Sequence, residues 1–381
     1  MDNHQKHAKL MRPALGEFHR NELAILGTAC GNIRTLANKI IQELYAKYHI
    51  AYVDADHKGP QIDEGSAMLH GAMLEYTDKI SYRNLILKQP FNSFQNHNLF
   101  AEQDLVLVNG NHYKAQNQIV IIDPLKPLDQ KLEKLTNVEL ILLADGVEYI
   151  PEFITMHLPI GSAAPVLKLA DTLSIANFID KYLTQRQPGL NGLVLAGGQS
   201  QRMKTDKGSL AYFGKSQRLH VHELLIQHCA DVFISYANVQ TVNEQEQLPY
   251  ILDAFTGLGP FGGILSAFQS NPNVAWFTLA CDLPYLSAET LAYLVERRNP
   301  SKLATCFIDS DNQFPEPLIT IWEPRAYSIM LQFLSQGYSC PRKVLINSNV
   351  ELLQAPVIAD LQNVNYPEEQ QVAMAQLQKS S

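Results

Sequence analysis

The sequence has no Cys-x-x-Cys pair. Its five cysteines, Cys30, Cys229, Cys281, Cys306 and Cys340, are scattered and odd in number. That argues against a zinc site and a disulfide framework, and leaves free or buried thiols in a reducing compartment. Basic residues are in deficit, 30 Lys and Arg against 38 Asp and Glu, for a formal net charge of −8. A chain-wide nucleic-acid-binding surface is thereby excluded, and an anionic ligand has to be held by specific donors. No apolar run approaches the roughly 18 residues of a membrane-spanning helix. The segment Met1-Asp2-Asn3-His4-Gln5-Lys6-His7 lacks the apolar core of a signal peptide. These absences predict a cytoplasmic protein with neither a nucleic-acid nor a membrane partner. What remains is ordinary: 46% hydrophobic and 18% charged residues over 381 positions, apolar mass enough for two or three domains at roughly 100–200 residues each.

Two α/β patterns follow one another. In the first, the strand Leu23-Ala24-Ile25-Leu26 leads through a loop, 27–32, into a helix whose apolar face is Ile33, Leu36, Ala37, Ile40, Ile41, Leu44 and Tyr48. Further strands are predicted at 50–53, 104–108, 119–122 and 140–143, short β-branched runs of the kind buried on both faces of a parallel sheet. The polar stretch Thr184-Gln185-Arg186-Gln187-Pro188-Gly189 reads as a boundary. A second alternation starts with Gly192-Leu193-Val194-Leu195, with strands expected at 232–234, 250–252, 276–279, 303–307 and 318–321. The predicted class is α/β, in two domains, 1–185 and 190–381, each a mainly parallel sheet with helices on both faces.

Chemistry concentrates after the first strand of the second half, in Leu195-Ala196-Gly197-Gly198-Gln199-Ser200-Gln201-Arg202-Met203-Lys204-Thr205-Asp206-Lys207. Ligands of open α/β sheets bind beyond the carboxyl ends of strands. Paired glycines let a backbone approach a polyphosphate, Ser200 adds a hydroxyl, and Arg202 and Lys207 add positive charge. Gly-Gly alone marks a tight turn as readily; with Arg and Asp-Lys close behind it is a stronger signal. The spacing is not that of a P-loop, in which Lys directly follows the last glycine. Downstream, Asp253 ends a strand before the glycine-rich Gly257-Leu258-Gly259-Pro260-Phe261-Gly262-Gly263, expected to allow backbone contact with a ligand. In Ala280-Cys281-Asp282-Leu283-Pro284 a carboxylate ends an apolar strand, as suits Mg²⁺, although Asp282 could equally cap a turn. Asn363-Val364-Asn365-Tyr366-Pro367-Glu368-Glu369 reads as a loop entering a helix; capping suits Asn363, while Asn365 could cap or bind metal.

These four segments, in this order from about Asn191 onward, resemble the molybdenum cofactor guanylyltransferase family. The resemblance implies a Rossmann-like nucleotidyltransferase domain that uses GTP and Mg²⁺ and acts on molybdopterin, with molybdoenzyme-assembly proteins as further partners. It implies that Leu195, Ala196, Gly197, Gly198, Ser200, Ser235, Asp253 and Asp282 line the nucleotide site. Arg202, Lys207 and Asp282 would carry the chemistry, with Asp282 and Asn365 as the metal ligands. Ser235 stands where the family often has Asn, and Lys204 replaces a family glycine. The basic pair Arg342-Lys343 is a candidate clamp for the anionic pterin, and reads otherwise as an exposed basic pair. CTP or sugar-phosphate chemistry on the same fold, or a non-catalytic nucleotide-binding assembly module, are the alternatives.

In the first half, Gly27-Thr28-Ala29-Cys30-Gly31-Asn32-Ile33-Arg34-Thr35 sits where a P-loop would, yet no register supplies Gly-Lys-Ser/Thr. Asn109 ends Asp104-Leu105-Val106-Leu107-Val108 where a P-loop protein usually carries a carboxylate. The layout resembles the small P-loop GTP-binding accessory protein of the same pathway. Without the lysine, a scaffold or docking role is expected, with weak nucleotide binding at 27–35 as the alternative.

Overall fold

The computed structural model describes residues 21–56, 62–89, 95, 98–158, 164–196, 207–243, 245–309, 311 and 313–380, with backbone alone at 207 and 378–380. They fall into two compact units, 20–185 and 186–381, the second also taking in residues 1–19, which lie outside the described set. Among the described residues no helix is long and apolar enough to cross a membrane.

In the first unit the strands are β1 (Asn21–Leu26), β2 (Ile50–Val53), β3 (Leu74–Asp78), β4 (Arg83–Leu87), β5 (Leu105–Asn109), β6 (Asn117–Ile122), β7 (Asn137–Leu143) and β8 (Val166–Lys168). Six make one sheet in the order β2-β5-β1-β6-β7-β8, every neighbouring pair parallel. β3 and β4 pair only with each other, as an antiparallel hairpin. Helix α1 (Cys30–Leu44) covers the sheet with Ile33, Leu36, Ala37, Ile40 and Leu44, a stripe at three- and four-residue spacing. It begins at Cys30, before the loop predicted over 27–32 has ended. The short α2 (Glu152–His157) follows β7, and α3 (Thr172–Gln185) buries Ile175, Ile179 and Leu183 beside α1.

The second unit holds β9 (Leu190–Leu195), β10 (Val232–Tyr236), β11 (Tyr250–Leu252), β12 (Ala275–Ala280), β13 (Ala304–Ile308), β14 (Pro315–Trp322) and β15 (Glu351–Leu353). Their order is β11-β10-β9-β12-β14-β13-β15. β14 runs antiparallel to both β12 and β13, and the other neighbours are parallel. The helices are α4 (Gln217–Leu225), α5 (Pro260–Ser270), α6 (Ala288–Glu296), α7 (Ala326–Ser335), α8 (Pro341–Ile346) and α9 (Pro367–Ser380). Two apolar clusters pack on the sheet. One joins Val221, Leu225, Phe277, Leu291 and Ile321; the other joins Phe261, Ile264, Phe268, Trp276, Trp322 and Met330. β9 leads to β10 and β11 on one side, and β12 lies on its other side. The strand order therefore reverses at β9, the point where an open α/β sheet leaves a crevice beyond its carboxyl ends.

Candidate active site

That crevice is where the second unit gathers its predicted residues. Leu195, the last residue of β9, lies in register with Ser235 of β10 on one side and Ala280 of β12 on the other. Ala196 follows, half-buried. Gly197, Gly198, Ser200, Arg202 and Lys204 lie outside the described residues. Lys207 opens a short 3₁₀ turn, Lys207–Ser209.

Ser235 Oγ donates to Asp253 Oδ1 at 2.8 Å, joining the ends of β10 and β11. Burial lifts the Asp253 carboxyl above its ordinary range, and the serine hydrogen bond offsets only part of that. The glycine-rich segment meets these residues through packing. A Cβ on Gly263 would stand 2.5 Å from Ser235 Oγ and 3.1 Å from Leu195 Cδ2, and one on Gly262 would stand 2.2 Å from the Phe255 carbonyl oxygen. Gly263 therefore serves close approach of α5 to the strand ends and Gly262 close approach to the loop before it, where the sequence suggested approach to a ligand. Gly257 and Gly259, both at positive φ, shape the loop before α5 and have open space around them.

Asp282 follows β12. The β12–β14 pairing ends with Leu279 opposite Ile319, and beyond it the Asp282 charge acts on Glu316 near the start of β14. Glu316 is buried. Its Oε1 accepts from the Leu318 amide at 3.0 Å, and its Oε2 accepts from Arg342 Nη2 at 3.3 Å. Arg342 Nη1 also lies 3.8 Å from Asp309 Oδ2. Burial raises the Glu316 carboxyl, Arg342 opposes that, and Asp282 and Asp309 add to it. Arg342 is thus tied into a carboxylate group that reaches Asp282, while Lys343 Nζ stands over the Tyr338 ring, 5.2 Å from its centroid. The two cations read together as a clamp have different partners. The sequence reading missed Glu316 and Asp309; the one signal was a charged residue in Pro315-Glu316-Pro317, at the head of an apolar strand.

The segment Asn363–Asn365 docks on the same edge, through a hydrogen bond from the Val364 amide to the Asp282 carbonyl at 2.8 Å. Glu369 Oε2 accepts from the amides of Asn365 and Tyr366 at 2.7 and 3.2 Å, capping the first turn of α9. Among the described residues, Asn363 Oδ1 is buried with no hydrogen-bond partner. Asp282 and the buried amide oxygen of Asn363, on segments joined by that backbone hydrogen bond, are hard oxygen donors of the kind Mg²⁺ takes. Among the described residues no three His, Cys, Asp or Glu cluster as a metal site.

The corresponding edge of the first unit is closed by its own side chains. Gly27, at φ +97°, lies so close to Ile121 that a Cβ would meet its carbonyl oxygen at 2.1 Å. Thr28 Oγ1 donates to Asp123 Oδ2 at 2.5 Å and accepts from Asn32 Nδ2 at 3.1 Å. The Thr28 carbonyl accepts from Asn111 Nδ2 at 3.0 Å and Lys126 Nζ at 3.2 Å. Asn109 Nδ2 donates to Asp54 Oδ1 at 2.7 Å, and Arg34 pairs with the same carboxylate. Burial works against the Asp54 anion, but hydrogen bonds from Tyr52, Arg34, the Ala55 amide and Asn109 hold its carboxyl below the usual range.

Residues 192–351 match the family described as the MobA-like NTP transferase domain. A molybdenum cofactor biosynthesis bifunctional protein of Synechocystis is 35% identical over 184 residues, 48% of this chain and 53% of that protein. The chain thus spans about half the length of that relative. A molybdenum cofactor guanylyltransferase of Shewanella frigidimarina is 26% identical over 50% of this chain and 99% of its own. The solved structure of a molybdopterin-guanine dinucleotide biosynthesis protein A from Archaeoglobus fulgidus has a TM-score of 0.43 at 18% identity, covering 50% of this chain and 99% of that one. The crevice beyond β9, β10 and β12 lies within the stretch of the chain that matches the MobA-like NTP transferase domain.

Proposed function

We propose that the second unit transfers GMP from GTP to the terminal phosphate of molybdenum-bearing molybdopterin and releases pyrophosphate. The observation that carries this assignment is the convergence of Leu195, Ser235, Asp253 and Asp282 on one crevice at the point of strand-order reversal. Asp253 would accept from the nucleoside, and Ala196 and Leu195 would line its pocket. Gly197, Gly198 and Ser200 would offer backbone and hydroxyl donors to the phosphates, and Arg202 and Lys207 positive charge. Asp282 would hold Mg²⁺, with Asn365, or the buried amide oxygen of Asn363 two residues before it, as a second oxygen donor. That ion supplies neutralisation of the triphosphate and polarisation of its α-phosphorus. An oxygen of the acceptor phosphate attacks that phosphorus, the bond to the bridging oxygen breaks in line, and pyrophosphate leaves. No general base is required, because the attacking group is already an anion; the protein positions and stabilises charge. Arg342, braced by Glu316, lies at the Asp282 edge, where an anionic acceptor would enter.

The first unit we read as a scaffold that does not hydrolyse GTP, beside its catalytic neighbour in one chain. What supports this is the polar filling around Thr28, where a P-loop would leave room for phosphates.

The test is pyrophosphate release by the purified chain with molybdopterin, Mg²⁺ and each nucleoside triphosphate in turn. Release with GTP alone is expected, and lost in Asp282→Ala. Release with CTP alone would keep the mechanism and replace the nucleotide. No release with any nucleotide from folded protein would remove the assignment.

A further inference from the structure

Beside the filled loop of the first unit lies a constellation the nucleotidyl-transfer reaction does not use. Cys30 is the first residue of α1, and its sulfur stands 3.3 Å from His112 Nε2. Asn111 Nδ2 donates to the same sulfur at 3.4 Å and also to the Thr28 carbonyl at 3.0 Å. The loop carrying Asn111 and His112 is fixed to the end of β5. The Asn111 amide donates to Asn109 Oδ1 at 3.1 Å, and the His112 amide donates to the Asn109 carbonyl at 3.0 Å. Cys30, Asn111 and His112 are all half-buried, so the group is ordered and still reachable. A nucleophile, a ring nitrogen within hydrogen-bond reach and a side-chain amide directing the sulfur are the parts a thiol nucleophile needs.

The other cysteines differ. Cys229, Cys281 and Cys306 are buried in the second unit, and burial pushes the Cys229 and Cys306 thiols up to about 12. Cys340 is exposed. α1 has no acidic residue in its first turn, and Lys126 Nζ is anchored at the neighbouring Thr28 carbonyl. An anionic group joined to Cys30 would meet a helix N-terminus and an ammonium.

We propose that Cys30, with His112 as base and Asn111 as orienting donor, is a thiol–disulfide exchange site for anionic low-molecular-weight disulfides. Sγ attacks one sulfur of the incoming disulfide, its proton passing to His112 Nε2. The new S–S bond forms as the old one breaks, and the leaving thiolate takes the proton from His112. One protein thiol is oxidised, one disulfide is reduced, and a mixed disulfide and a free thiol result.

The test exposes the full chain to oxidised glutathione at neutral pH and follows mixed-disulfide formation at Cys30 and Cys340 by peptide mass spectrometry. Cys30 is expected to react at least about tenfold faster than Cys340, and His112→Gln to remove that advantage while leaving the Cys340 rate unchanged. The wild-type ratio decides without any variant: equal rates at Cys30 and Cys340 would overturn the proposal. So would a His112→Gln chain that keeps the fast Cys30 reaction.

Discussion

Asp253 serves two conflicting demands. In the proposed role its carboxylate has to be charged and dry, and burial has already raised its proton affinity in the fold. The sign follows. With the folded value above the unfolded one, the native state binds the proton more tightly, so ionised Asp253 costs stability at neutral pH. That cost fades as pH falls through the folded value. Asp253→Asn keeps an acceptor for Ser235 and removes the buried charge. It is expected to raise the melting temperature at pH 7 slightly and to weaken GTP binding; thermal melts and calorimetry on one preparation check both halves. Asp282 is unlike it in acting electrostatically on a second, buried carboxyl, Glu316. The residues at strand ends were legible in the sequence, because a carboxylate closing an apolar run is conspicuous. Glu316 was not, because its meaning depends on an antiparallel pairing that brings β14 alongside β12. The filling around Thr28 was hidden for the same reason: its partners Asn111, Asp123 and Lys126 lie on two other strand ends.

At the scale of elements, the contact between α5 and the strand ends decides whether the crevice keeps its shape. Gly263→Ala would set a methyl group 2.5 Å from Ser235 Oγ, so α5 must lift or the Ser235–Asp253 hydrogen bond must break. A loss of about 1–3 kcal/mol is expected from such overpacking, read as a lower denaturant midpoint, with weaker GTP binding alongside. Far from the crevice, Arg298 just beyond α6 holds Glu323 just beyond β14 through two hydrogen bonds, Nε to Oε1 at 2.7 Å and Nη2 to Oε2 at 2.9 Å. The Glu323 side chain is wholly buried. Glu323→Ala strands the guanidinium and is expected to cost about 3–5 kcal/mol in urea unfolding. Nucleotide affinity at temperatures where the variant is folded should be unchanged. The buried strands were readable as apolar runs. β3, β4, β8 and β15 were not, being short or exposed strands whose side chains give no continuous apolar signal.

For the whole molecule, each of the two sheets is followed at its first strand by a segment the sequence marks as glycine-bearing, and in the proposed function only that of the second unit takes a triphosphate. The first-unit loop spends its donors internally: the Thr28 hydroxyl on Asp123, Asn111 and Lys126 on the Thr28 carbonyl, Asn109 and Arg34 on Asp54. Nucleotide phosphates entering there would have to displace these bonds, the one from Lys126 among them, with no P-loop lysine in its place. The chain's net charge of −8 gives no general attraction to offset that. Titration of the full chain with GTP and Mg²⁺ is therefore expected to show one site per chain, and Lys207→Ala with Asp282→Ala to abolish it. A second site, or binding that survives the double substitution, would place nucleotide on the first unit and end its reading as a scaffold. One site lost with the double substitution would leave the first unit to act by what it docks or by the chemistry of its thiol, with guanylyl transfer confined to the second.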